Sequence, residues 1–210
     1  MKNIDRPFLI AITGNIASGK TIVCQWFKEK GFNVISADKI GHKILEKPEI
    51  GSILEDRFGS IILSKNKIDR KKLGEIVFED HDKLEFLNRL LHPLIRSEMQ
   101  NIIDTSKSEF LFFEIPLLFE NKLENAFDLT INISSPGEIR IERLLQRDNI
   151  TEKTALRIIS NQMPDMEKMK KADVNMINDH GLRELYLQLE KIFGDLHRYN
   201  YRDVRRLVAI

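Results

Sequence analysis

Residues 10–21, "IAITGNIASGKT", decide the fold. A short apolar run suited to a buried strand passes into a glycine loop ending in Gly-Lys-Thr, and Ile22, Val23, Trp26 and Phe27 then recur at helical spacing. Gly14-Asn15-Ile16-Ala17-Ser18-Gly19-Lys20-Thr21 fits GxxxxGK[ST] between strand and helix, the setting in which that pattern has a mechanism. Gly14 and Gly19 let the backbone wrap closely enough for its N–H groups to point at phosphate oxygens, and the start of the helix adds favourable electrostatics. Lys20 supplies a point charge to the outer phosphates, and Thr21 offers a hydroxyl to Mg²⁺. A nucleoside triphosphate is the ligand these residues imply.

Outward from the loop, residues 8–13, 33–36, 110–115, 129–134 and 174–178 read as five buried strands separated by helical stretches. Gly31 stops the first helix in a position that favours left-handed backbone. Alternating strands and helices predict a parallel sheet covered on both faces, with ligands at the carboxyl ends of its strands. The stretch from the second strand to the third is too long for one crossover, so residues 39–107 hold a subdomain. It reads as wholly helical. Asp69 caps a helix bearing Leu73, Ile76 and Val77, and another, with Leu84, Leu87, Leu90 and Leu91, ends at His92-Pro93. A second insertion, 137–167, is rich in arginine, and Leu182, Leu185, Leu189, Ile192 and Leu196 stripe a closing helix. The core is then 1–38, 108–136 and 168–210.

Composition excludes several classes. With 33 Lys plus Arg against 32 Asp plus Glu, no net field recruits nucleic acid. Cys24 is the one cysteine, so there is no disulfide framework, and its apolar neighbours predict a core thiol. The N-terminal apolar stretch is too short for a leader. "FLFFEIPLLF", residues 110–119, falls well short of the roughly 20 apolar residues of a membrane helix. A cytoplasmic protein without membrane or nucleic-acid partners is expected.

Three kinds of nucleotide-binding protein compete. A guanine-nucleotide switch would use DxxG and NKxD, and both strings occur, at Asp56 to Gly59 and Asn66 to Asp69. Only six residues separate them, too few for the intervening strand and crossover, which take about a dozen residues or more. A motor ATPase would place acidic residues at the end of an apolar strand, as Glu114 is placed in "FLFFEIP", but this chain has no second ATPase-like core. A small-molecule kinase explains both insertions, as acceptor domain and lid.

The other polar residues admit two roles each. Asp38 follows the second strand and either serves chemistry, by accepting a proton from an acceptor hydroxyl or organising Mg²⁺ water, or caps the next helix. Glu114 either reaches Mg²⁺ through water or serves as a hydrogen-bonded structural group. Arg140, Arg143 and Arg147 share a helical face, which is either solvated or set over the migrating phosphate.

Taken in order, the loop, "SAD", "HP", "IPLLFE", "RLLQRD" and "NQMPDMEKMKKAD" resemble the dephospho-CoA kinase family over nearly the whole chain. The resemblance implies an α/β fold: a P-loop kinase core with a five-stranded parallel sheet, a helical CoA-substrate-binding insertion and a helical lid. It implies ATP and dephospho-CoA as substrates, Mg²⁺, and phosphorylation of the ribose 3′-hydroxyl. Carried onto this sequence, it gives Asp38 as base, Lys20, Arg143 and Arg147 as catalytic cations, and Arg70, His92 and Pro116 at the substrate. A monomer or weak homo-oligomer is expected. Asn15 and Ala17 stand where the family commonly has glycine, Thr21 where it has serine, and Ser36 where an aspartate is frequent. Gln162 and Lys168 match the run leading back to the core, without assigned roles. The rivals are a nucleoside or nucleotide kinase and a nucleotide-binding regulatory module.

Overall fold

The computed structural model describes residues 6–210; the reading of the N-terminal segment as no leader falls in part on residues 1–5, outside the described residues. Two compact units divide the chain, one of residues 1–35 and 106–210, the other of residues 36–105. In chain order the elements are β1 (Phe8–Gly14), α1 (Lys20–Glu29), β2 (Asn33–Ser36), α2 (Ala37–Leu45), α3 (Pro48–Phe58), β3 (Leu63–Ser64), β4 (Lys67–Ile68), α4 (Arg70–Phe78), α5 (His81–Thr105), β5 (Phe110–Glu114), β6 (Leu129–Ser134), α6 (Gly137–Asp148), α7 (Glu152–Ser160), α8 (Asp165–Lys171), β7 (Val174–Ile177) and α9 (Leu182–Asp195).

The five expected strands form one sheet in the order β2-β5-β1-β6-β7, with β1 parallel to both β5 and β6. Every residue of β1 is buried, as a central strand covered on both faces requires. One face packs Ile10, Ile12, Phe112, Ile131 and Ile133 against Val23 and Phe27 of α1 and Leu185, Leu189 and Ile192 of α9. Leu182, expected on that stripe, is exposed at the first position of α9, and the buried stripe begins at Leu185. Gly31 has a φ of +89°, and the N–H of Phe32 returns to the carbonyl of Phe27 at 3.0 Å, closing the C-terminus of α1.

The opposite face of β6 is polar. Thr130 bonds Asp173, Asn132 bonds Asn175, and Ser134 bonds Asp165 of α8. At the amino ends of the strands, Asp128 accepts from Arg6 and from the backbone N–H of Arg202 (2.7 Å), and the Arg202 guanidinium reaches Asp173 at 2.6 Å.

The other unit corrects two expectations. It is not wholly helical, because β3 and β4 pair as a hairpin whose turn residues Lys65 and Asn66 have φ of 50° and 60°. And α5 does not stop at His92-Pro93 but runs on through Pro93 to Thr105. A proline deletes one helical hydrogen bond, whereas Met99 and Ile103 continue the buried stripe beyond it. The guanine-motif strings have structural uses here: Asn66 turns the hairpin, Lys67 and Ile68 form β4, and Asp69 caps α4 by accepting from the N–H groups of Lys71 and Lys72. Among the described residues no helix is long and apolar enough to cross a membrane.

Candidate active site

The loop after β1 needs both its glycines. At φ +143°, Gly14 lies so close to β6 that a Cβ would fall 2.3 Å from the Ile133 carbonyl oxygen. At φ +104°, Gly19 would place a Cβ 2.2 Å from Nδ2 of Asn178. Ala17 takes left-handed backbone with a side chain, at φ 59°. Lys20 curls over the loop and donates to the carbonyls of Gly14 (2.8 Å) and Asn15 (3.0 Å), so its ammonium sits where the loop converges. The Ser18 hydroxyl is buried without a protein partner, a polar atom turned into a loop built for anions.

The walls come from distant parts of the same unit. Asn178, just past β7, donates from Nδ2 to the Ser18 carbonyl at 2.8 Å. Arg143 of α6 donates to the Ala17 carbonyl at 3.1 Å and more distantly to Ser135 and Asn178. A guanidinium therefore stands against the phosphate loop. The other two arginines of that helix behave differently. Arg140 is buried, with Nε donating to the Ser135 carbonyl at 3.1 Å, so it belongs to the wall and not to a solvated face. Arg147 is exposed and forks onto its neighbour Asp148 through two 2.7 Å bonds. That contact raises the arginine and holds the Asp148 carboxyl below the usual range.

Sequence reasoning left the strongest supports without a role. Gln162 accepts the Ile16 N–H at 2.7 Å. Lys168 is fully buried, 2.9 Å from Glu120 and 3.1 Å from the Pro116 carbonyl, which also accepts from the Thr13 hydroxyl. Pro116 thus contributes its carbonyl to the frame of the loop. The quoted run "NQMPDMEKMKKAD" contained Gln162 and Lys168, but its lysines look like an ordinary solvated helix.

For a divalent cation the nearby donors are oxygens: the exposed Thr21 hydroxyl in the first turn of α1 and the half-buried Glu114 ending β5. Cys24 is no ligand, since burial first and Glu114 second push its thiol up to about 12. This donor set fits a hard cation such as Mg²⁺.

Within residues 36–105, Asp38 is exposed in the first turn of α2, two residues beyond the end of β2. The N-cap of that helix is Ser36, so capping is not the role of Asp38. Arg70 is exposed at the start of α4. His92 is half-buried inside α5, where burial, with Arg96 adding to it, lowers its imidazole below the ordinary value.

Comparison with known proteins converges on one family. The family model for dephospho-CoA kinase matches residues 8–184, from β1 into α9. A dephospho-CoA kinase of Fusobacterium nucleatum is 39% identical over 184 residues, covering 87% of this chain and 95% of the relative. The solved dephospho-CoA kinase from Campylobacter jejuni superposes with a TM-score of 0.69 at 34% identity, covering 90% of this chain and 97% of that one. Shikimate kinase from Acinetobacter baumannii, at 14% identity and a TM-score of 0.52, shares the fold alone. With a glycine loop braced on β6 and β7, an arginine of α6 against it, and a match running through all of these elements, the chain belongs to the dephospho-CoA kinase family.

Proposed function

We propose that this protein transfers the γ-phosphoryl group of ATP to the ribose 3′-hydroxyl of dephospho-CoA, giving coenzyme A and ADP, the final step of coenzyme A synthesis. The observation that carries the reading is Arg143 held against the Ala17 carbonyl, which sets a permanent cation beside a loop already holding Lys20. In phosphoryl transfer the protein chiefly positions the partners and stabilises charge, and those two groups supply that.

In the transfer, the ribose oxygen forms a bond to the γ-phosphorus as the bond to the β-phosphate oxygen breaks, and Asp38 takes the hydroxyl proton. Lys20 and Arg143 hold the phosphates, and Arg147 is a further cation on the same helix, free to exchange Asp148 for phosphate. Thr21, and Glu114 through water, would hold Mg²⁺, which when bound offsets charge on the outer phosphates. Arg70, His92 and Pro116 are assigned to the CoA substrate on the family resemblance. The lid is residues 137–167 and the substrate domain 39–107 in this reading, with the protein acting in the cytoplasm as a monomer or weak homo-oligomer.

The test is ADP production from Mg-ATP with dephospho-CoA, compared with nucleosides and nucleoside monophosphates. Dephospho-CoA should give the dominant turnover, and Asp38→Asn should lower kcat by about 10²-fold or more while nucleotide binding persists. Turnover with dephospho-CoA no greater than in buffer would overturn the function. Full turnover in Asp38→Asn would overturn the base.

A further inference from the structure

The turn between α7 and α8 grips the first half of the phosphate loop through two carboxamides. Gln162 Oε1 accepts the N–H of Ile16 at 2.7 Å. Asn15, only 2% exposed, donates from Nδ2 to the Met163 carbonyl at 3.2 Å and, more weakly, to Asp165 at 3.4 Å. The turn is itself fixed from behind, because the Met163 N–H donates to Glu120 Oε1 at 3.1 Å and that carboxylate pairs with buried Lys168. The grip thus ends on a buried ion pair and not on a mobile surface group.

A phosphate loop acts by aiming N–H groups at anion oxygens. A side chain that takes the N–H of Ile16 removes that donor from the anion-facing set and fixes the first half of the loop, leaving phosphate to the residues that follow. We propose that Gln162 is a positioning residue for nucleotide binding: by holding the Ile16 N–H it keeps the empty loop in its phosphate-ready shape. The ordering cost is then met in folding and not on binding, which strengthens affinity. This rests on the loop being the ATP site proposed above. Because such an effect is common to bound ATP and to the transition state, its loss raises KM for ATP and leaves kcat nearly unchanged.

Gln162→Met removes the acceptor at similar size, and Gln162→Glu keeps an acceptor oxygen. Amide exchange at Ile16 is read by NMR without ligand, ADP affinity by calorimetry with Mg²⁺, and steady-state kinetics with dephospho-CoA. In Gln162→Met the Ile16 amide should exchange about tenfold faster, with Kd for ADP and KM for ATP rising about tenfold and kcat staying within about twofold. Gln162→Glu should retain slow exchange at Ile16. An unchanged Ile16 exchange rate in Gln162→Met overturns the inference. So does faster exchange with unchanged ADP affinity, which would leave the contact a purely structural one. Exchange and ADP binding need no acceptor, so a failure to phosphorylate dephospho-CoA would overturn the proposed function and not this inference.

Discussion

Ala17 shows what a single residue costs this loop. It holds left-handed backbone at φ 59°, where a Cβ meets the following carbonyl at roughly 1–2 kcal/mol. Glycine removes that strain but adds about 0.4–1 kcal/mol of unfolded-state entropy. Ala17→Gly should therefore stabilise the protein by about 0.5 kcal/mol, a rise in Tm of about 1–2 °C. Calorimetry decides it; a lower Tm would mean that the methyl makes packing contacts outweighing the strain. At this scale the sequence was informative where contacts are local. Gly14, Gly19 and Lys20 announce themselves by spacing within one short motif, and Lys20 bonds backbone only five and six residues away, although the neighbours that crowd the two glycines, Ile133 and Asn178, come from far along the chain. Gln162 and Asn178 reach the same loop across 146 and 160 residues, and a contact that long leaves no local pattern.

Among the elements, α8 departs most from what its sequence suggests. A seven-residue helix with Lys168, Lys170 and Lys171 in its last turn reads as a solvated surface, yet Lys168 is wholly buried against Glu120. It docks on the polar face of β6 through Asp165 and Ser134, so periodic hydrophobicity could not reveal it. The end of α5 was missed for the opposite reason: Pro93 is a strong local stop signal overridden by the apolar stripe beyond it. The five strands were legible as short apolar runs, most plainly β1, β5 and β6, which lie inside the sheet and are almost wholly buried, whereas the edge strands β2 and β7 are partly exposed. The Lys168–Glu120 pair yields a prediction at this scale. Lys168→Met leaves a largely buried carboxylate uncompensated, with Glu120 Oε2 already lacking a protein partner, and should cost about 3 kcal/mol. Adding Glu120→Gln should recover much of that loss in urea denaturation. If the double variant is no more stable than the single one, the stability of α8 lies in its other contacts.

On the scale of the whole chain, the C-terminal segment fastens the amino ends of the strands, remote from the phosphate loop and beyond residue 184, where the family match ends. Arg202 is its main fastener: its backbone N–H binds Asp128, its guanidinium binds Asp173, and Asp173 in turn accepts from Thr130. Burial tends to raise the Asp173 carboxyl, but the Arg202 and Thr130 hydrogen bonds outweigh it and hold the group below its ordinary value. A carboxylate whose pKa is lowered by folding stabilises the native state above its unfolded pKa of about 3.9, and that contribution fades as pH falls through the native value. Arg202→Ala should therefore lower stability at pH 7 by about 1 kcal/mol, a modest figure because the pair is open to water and screened. The difference from the parent protein should shrink below about pH 4 as Asp173 becomes protonated in both. Urea denaturation of the two proteins from pH 7 to pH 3 measures this directly. A difference that stays constant down to pH 3 would place the hold of the segment in apolar contacts, such as Tyr201 edge-on to Phe8 at 5.2 Å, and not in the ion pair.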